Sequence, residues 1–454
     1  MATPLSLLAA LVSSGAVGLT VIPPGPVTDR IEVEIRLAVR NPRPEEATYG
    51  VRLYWDAPRH KNLIEARRVA VRANGIELVT VWAPTAERTG RRAIVAQVRT
   101  PEGTLTEQRW PITVVGAQTP SLPLLTGAWV DPGVLYEGFG YPRAREVTAA
   151  DVRDAVDAMH RVGMDTVIVT YVEFHGPYYP SAIEELGEPL LDFDVVGTIL
   201  GQADRNRMHV FLGLGRGDDT LLLWDGLDDA ERIAKAVDLG KRVAGELWSK
   251  YGHHASFYGW YLTHEANDLA RAAAYYDPLA DFCHGLAPEK PVMIAPAGTP
   301  IITPEIIGRS HVDIFAYQDA VGAGYKDYQY TLDPEQRIAE LHEVYGHYRD
   351  THAGTRKHLW SDLEIWRANP ETGYAPFHPA PIDEVRRQIA IEADYVEMIT
   401  AYEFLSEMEA PQSTLRLGGD EAVRLYREYQ AYYDDTIKEY TSESGRKGPW
   451  QRTP

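Results

Sequence analysis

Two short apolar runs in this chain stop abruptly at carboxylates. In SFYGWYLTHE, Ser256–Glu265, an aromatic stretch ends in Thr263, His264 and Glu265. In HLWSDLEIW, residues 358–366, Trp360, Asp362, Glu364 and Trp366 share one parity, and Leu359, Ser361, Leu363 and Ile365 share the other. Alternate residues of a strand point to opposite faces. The apolar parity faces a covering layer, so the charged set points into a mouth. A carboxylate held there needs a partner or a task, because an unpaired buried charge is costly or shifts its pKa. Two carboxylates across a pocket, one protonated and one ionised, are the machinery of glycosidic bond hydrolysis. The leaving oxygen needs a proton, and the anomeric carbon needs a nucleophile or an activated water.

Other strand-like runs end in polar groups that would join them. They are Trp129 with Asp131, Tyr171 with Glu173, Arg216 with Asp218, Gln318 with Asp319, and Glu403. One carboxylate at a strand end is ordinarily a loop cap or solvated; several together suggest a site. Gln318 and Asp319 are candidates to bind sugar hydroxyls. Tyr171, Trp129, Trp260 and Trp366 are candidate stacking platforms, with Trp260 also a core candidate. Glu403 is the rival second carboxylate, better read as orienting Glu364 or binding a hydroxyl. The loop HGPYYPSAIEEL after Glu173 would form a cleft wall, and Gly322 with Gly324 would free the loop after strand six to turn.

The elements that must position these residues alternate. Eight candidate strands run through LLTGAWVD, MDTVIVTYVEF, RMHVFLGLG, SFYGWYLTHE, KPVMIAPAG, VDIFAYQDAVG, KHLWSDLEIW and MITAYEFLS. Helical patterns lie between them. In the first, Thr148 caps, Asp151 resembles the capping-box acid, and Val152, Val156, Met159 and Val162 form a stripe before Gly163. Others are expected at 229–251, 268–285, 334–351, 383–397 and 420–440. This rhythm predicts an α/β fold, a (β/α)8 TIM barrel over 123–442 whose strand ends converge at the C-terminal face. An open doubly wound sheet is the alternative.

Residues 27–116 read as short strands separated by turn residues, an all-β, Ig-like sandwich domain with a structural or accessory role. In it RIEVEIRLAV alternates, with Ile31, Val33, Ile35 and Leu37 on one face. Residues 117–122 are a linker and 443–454 a flexible tail. Residues 1–26 are an apolar segment, either a signal peptide or a first strand; no basic residue precedes Arg30. That leaves localisation open between cytoplasmic and exported.

The chain has 454 residues, 44% hydrophobic and 24% charged, with a formal charge of -20. The acidic balance argues against nucleic-acid or anionic-membrane partners. No run is long enough for a transmembrane span. The single cysteine, Cys283, excludes an intrachain disulfide and reads as a buried small hydrophobe. The 26 Tyr and 10 Trp suit sugar stacking and ordinary cores equally. HEVYGH, 342–347, spaces its histidines five apart rather than the four a zinc helix needs. GLGRGD has Asp218 where a dinucleotide motif needs glycine. His253 and His254 precede strand four and belong to the opposite face. No metal or organic cofactor is implied.

The motifs GWYLTHE, IFAYQDAVG and HLWSDLEIW resemble an uncharacterised glycoside-hydrolase-like barrel family, a domain of unknown function, from Leu124 to about Glu407. They also resemble the retaining (β/α)8 glycoside hydrolase clan. That resemblance implies Glu265 as acid/base on strand four and Glu364 as nucleophile on strand seven. The clan usually has Asn before the strand-four Glu; here it is His264. The expected activity is a glycosidase acting on an oligo- or polysaccharide, with retention of configuration. A non-catalytic carbohydrate-binding barrel, motivated by His264, and a carbohydrate lyase or epimerase are the alternatives.

Overall fold

The structure is a computed structural model that describes residues 16–136, 141, 145–214, 227, 229–326, 329–330, 333–372 and 375–442. All eight expected barrel strands form. In chain order they are Gly127–Val130, Thr166–Val169, His209–Gly213, Phe257–Tyr261, Val292–Ile294, Ile314–Gln318, His358–Glu364 and Met398–Tyr402. They pair in parallel with their chain neighbours, and the eighth pairs with the first, closing the barrel. Closure removes the open-sheet alternative.

The interior is filled by Trp129, Ile168, Phe211, Tyr258, Tyr261, Met293, Ile314, Trp360 and Met398. Leu359, Leu363 and Ile365 lie in the separate core between strands and helices, so strand seven has the parity its sequence implied. Strand four carries an irregularity: Val210 pairs with Phe257 but Phe211 with Gly259, leaving Tyr258 between. Tyr258 and Tyr261 both reach the interior, while Phe257 and Trp260 face the helices. Of the two readings of Trp260, core is the one observed. Gly259 sits where a Cβ would come 2.6 Å from Phe211 and from the Pro291 carbonyl.

The helix after strand one spans Ala149–Arg161, with the Thr148–Asp151 capping box in place. The helices Ala230–Tyr251, Leu269–Leu286, Pro334–His352 and Gly419–Ser442 fall within two residues of expectation. Ile382–Glu392 ends five residues short of its expected end at 397. The sequence patterns did not mark Val195–Asn206 as a helix. Its β-branched residues and glycines are weak helix formers. Burial of Val195, Val196, Ile199, Leu200 and Ala203 against the barrel, with Asp194 as N-cap, overrides that preference. Cys283 is free and fully buried.

The N-terminal region is β-rich and sandwich-like. Val17–Ile22, Glu32–Arg40 and Ile76–Pro84 form one antiparallel sheet. A second, five-stranded sheet runs in the order Val27–Thr28, Leu105–Val115, Gly90–Arg99, Ala47–Trp55, Leu63–Val71. Both sheets contribute to one apolar core, including Val33, Ile35, Leu37, Val51, Leu53, Ile94 and Val114. The described part of the apolar N-terminal stretch is thus a strand of the first sheet.

The other face of Glu32–Arg40 is buried as well, because it lies on the N-terminal end of the barrel. The Arg36 guanidinium grips Asp313 at 2.6 and 2.9 Å and Glu34 at 2.8 and 3.2 Å. Arg40 donates to both oxygens of Glu289. His358, at the base of strand seven, lies 2.7 Å from Glu397 and 3.0 Å from Glu34. Ile22 belongs to the barrel's interior cluster, and Trp110 stacks on His209.

Candidate active site

Glu364 is the last residue of strand seven, and three neighbouring segments fix it. Its backbone N–H donates to Asp319 Oδ1 at 3.1 Å, and its carbonyl accepts from Gln388 Nε2 at 3.0 Å. Its Oε2 accepts from the Ala323 N–H at 2.9 Å. The loop after strand six can come this close because residue 322 is glycine. A Cβ there would lie 3.0 Å from Glu364 Oε2 and 2.5 Å from the Trp366 carbonyl. Turn freedom applies to Gly324, with φ +61°, while Gly322 serves close approach.

Asp319 is fully buried, and both its oxygens are satisfied from within the protein. Oδ1 accepts from the Val321 and Glu364 N–H groups and Oδ2 from Gln388 at 2.7 Å. The residue anticipated as a hydroxyl binder is therefore placed as a clamp on the Glu364 main chain. Arg337 donates to the Asp319 carbonyl at 2.6 Å. Gln318 ends strand six in register with Asp362.

The electrostatics tie strand four to strand seven. Burial pushes the Asp362 carboxyl well above the usual carboxylate range, and the charges of Glu364, Asp319 and Glu265 push the same way. Burial and Asp319 raise Glu364 to about 8, against the Ala323 N–H and Arg337. Behind strand seven, burial and Asp319 raise Glu392, which accepts from Ser361. Several carboxyls in low-dielectric contact cannot all ionise together, so the cluster retains protons at neutral pH.

Glu265 follows strand four and is partly exposed. Tyr276 braces the chain on both sides of it. The Tyr276 hydroxyl donates to the His264 carbonyl at 2.6 Å and accepts from the Ala266 N–H at 3.3 Å. The His264 ring lies against Tyr275 and Tyr276, at centroid distances of 5.7 and 6.1 Å.

Strands eight and one close the rim. Glu403 caps the short helix Phe404–Glu407, accepting from the Ser406 N–H at 2.7 Å, and its other oxygen accepts from the Asp131 N–H at 3.2 Å. Its hydrogen bonds therefore go to strand one and the helix cap, with none to Glu364. Asp131 in turn caps Pro132–Leu135 and accepts from the Tyr402 hydroxyl. Trp129 is buried in the interior, edge-on to Tyr261. Trp366 stacks on Phe377 at 4.1 Å. Tyr171 packs against Phe174 and Tyr178. Glu173 borders a cavity of about 1090 Å³ that extends to Asp229, Arg232 and Arg242; neither Glu265 nor Glu364 lines it. Tyr178 and Tyr179 of the expected cleft wall turn inward, and Tyr179 donates to Glu246. Arg216 and Asp218 lie outside the described residues. Among the described residues, no group of three or more His, Cys, Asp or Glu is arranged to hold a metal.

Sequence reasoning missed Gln388, Arg337, Tyr276 and Glu392. The first two had a signal: each is a polar residue on an apolar helical stripe. Gln388 shares its stripe with Val385 and Ile389, and Arg337 with Leu341 and Tyr345.

A closed eight-stranded parallel barrel with polar strand ends gathered at one mouth is a (β/α)8 barrel. The chain belongs to the family described as Domain of unknown function (DUF4434), which matches residues 125–415. Several solved structures similar to it carry the names of glycosidases. An alpha-L-fucosidase-like protein from Bacteroides thetaiotaomicron is 22% identical, with a TM-score of 0.54 over 68% of this chain and 93% of its own. A beta-galacturonidase from Eisenbergiella tayi is 12% identical, TM-score 0.43, over 93% and 72%. A beta-glucuronidase from Bacteroides uniformis is 12% identical, TM-score 0.42, over 92% and 50%. Identities this low speak to fold alone. No curated protein matches the chain.

Proposed function

We propose that this protein is a glycosidase that cleaves an oligo- or polysaccharide by retaining double displacement. Glu265 is the acid/base and Glu364 the nucleophile. The observation that carries this is placement: Glu265 follows strand four and Glu364 ends strand seven of one closed barrel, and the charges of both raise Asp362 between them. Two carboxyls from opposite sides of one mouth are what the reaction requires. Glu364 attacks the anomeric carbon while Glu265 protonates the departing oxygen; Glu265 then takes a proton from the water that releases the sugar. The Ala323 N–H holds Glu364 Oε2, which leaves Oε1 to attack. Positive charge developing on the sugar in the transition state favours the ionised form of Glu364. Residues 27–116, joined by the strand Val17–Ile22, act as a sandwich domain supporting a barrel of 123–442, linked by 117–122.

The test is a screen of glycans and aryl glycosides with wild type, Glu265→Ala and Glu364→Ala, with the product anomer read by NMR. Retained activity in both variants would refute the assignment. A carboxyl separation of about 5–5.5 Å in a substrate complex supports retention, and roughly 6.5–9.5 Å supports inversion.

One observation favours a second reading, a barrel that binds glycans without cleaving them. His264 stands where the clan carries Asn, and its ring packs against Tyr275 and Tyr276. Glycan binding without turnover, with affinity unchanged in Glu265→Gln, selects that reading.

A further inference from the structure

Asp362 is the group in the mouth that the two-carboxylate mechanism does not use. It is 2% exposed, and among the described residues its Oδ1 has no hydrogen-bond partner. It lies two residues before Glu364 on the same face of strand seven, so about 6.6 Å back along the strand and deeper in the barrel. Strand register sets Gln318 on one side of it and Thr400 on the other. Beneath it, Trp360 and Trp129 belong to the apolar plug. Its carboxyl is therefore the polar floor of the mouth, below the reacting carboxyls. Glu364, Asp319 and Glu265 crowd it with further carboxyl groups. A buried polar atom left unpaired by the protein is costly unless a ligand pairs it.

We propose that Asp362 reads the buried end of the sugar, so that the site takes a glycone presenting a hydroxyl or amino donor there and rejects a uronic acid. This rests on the reading of the mouth as a glycosidase site. A hydroxyl or ammonium group supplies the missing donor to Oδ1. A sugar carboxylate supplies no donor and adds a like charge beside carboxyls already crowded enough to retain protons.

The experiment compares an aryl hexoside, hexosaminide and hexuronide of one configuration, on wild type and Asp362→Asn. Asparagine keeps the shape and removes the acid. For wild type, kcat/KM on the hexuronide is expected about a hundredfold below that on the hexoside. In Asp362→Asn that ratio narrows about tenfold or more. Equal wild-type turnover of hexuronide and hexoside, or an unchanged ratio in the variant, would overturn the proposal. If the asparagine variant is insoluble, Asp362→Ser supplies the same ratio. If wild type turns over no glycoside, the glycosidase reading fails separately. Affinities of the three matching free sugars, from NMR titration, then decide. Weaker uronate binding that is relieved in the variant supports Asp362 as the reader; equal affinities, or no binding, overturn it.

Discussion

Glu364 shows how little of a buried carboxyl's behaviour is its own. Burial and Asp319 raise it to about 8, and to act as the proposed nucleophile it must be ionised. For a neutral substrate, kcat/KM should therefore climb with pH up to about 8 before levelling. Asp319→Asn removes the neighbouring charge and should shift this limb to lower pH, even as loss of the main-chain clamp lowers kcat; a pH–rate profile of both proteins checks it. Gly322→Ala drives a methyl against Glu364 and the Trp366 carbonyl. A displacement of about 1 Å at a reacting group costs on the order of 10²-fold in rate. The variant should lose about that much in kcat. Glu265→Gln should lower kcat by about 10²–10⁴, most for substrates with poor leaving groups. Leaving-group dependence measured across aryl glycosides would expose an error in its role.

At the scale of elements, the strand Glu32–Arg40 does two jobs with one alternation. Its apolar parity builds the sandwich core, and its charged parity docks on the barrel. Arg36 has a fixed fork that meets Glu34 and Asp313 together. Removing one partner of a buried ion pair typically costs about 3–5 kcal/mol, because the remaining charges stay buried. Arg36→Ala should be destabilised by about that amount in chemical denaturation, and Arg36→Lys by less. The Glu403–Ser406–Glu407 turn is a second such device. The Ser406 hydroxyl lies 2.6 Å from Glu403 and 2.9 Å from Glu407 but has one hydrogen to give. The two carboxyls thus compete for one hydrogen, and burial beside Glu403 raises Glu407 to about 8.

For the molecule as a whole, these groups combine into a pH dependence of stability. Glu403, raised to about 7 by burial and Asp131, and Glu407 hold protons that the unfolded chain has already released. Their contribution is lost as pH rises from about 4.5 through those values. Burial lowers His358, but Glu397 and Glu34 outweigh it and raise it to about 9. Its contribution is complete below its ordinary 6.5 and lost as pH rises through 9. Asp313 works in the opposite sense: burial raises it, but Arg36 and His284 hold it well below 3.8. Its contribution fades only as pH falls below that range. Thermal stability should peak at about pH 5 and decline toward pH 9, and His358→Gln should flatten the alkaline part. Expression of residues 117–454 alone should give an aggregating barrel, since removing the sandwich exposes the interior cluster beneath Ile22 and strands Asp313 and Glu289 without their arginines.

Local pattern was enough for the strand count, the parity of strand seven and the capped first helix. Each depends on periodicity and on groups a few residues apart, which are properties of the chain itself. The strand ends at Glu265 and Glu364 were legible for the same reason, because an apolar run that stops at a carboxylate marks both a strand and its mouth. What Asp319 and Glu403 do with their charges was not legible. Their partners, Gln388 and the Asp131 main chain, lie 69 and 272 residues away in sequence. The same holds for Glu34, Arg36 and Arg40, whose alternation is complete in the sequence but whose burial exists only once Asp313, Glu289 and His358 close over them. Whether a carboxylate binds, clamps or reacts depends on which donors reach it and how much water remains, and folding alone sets both.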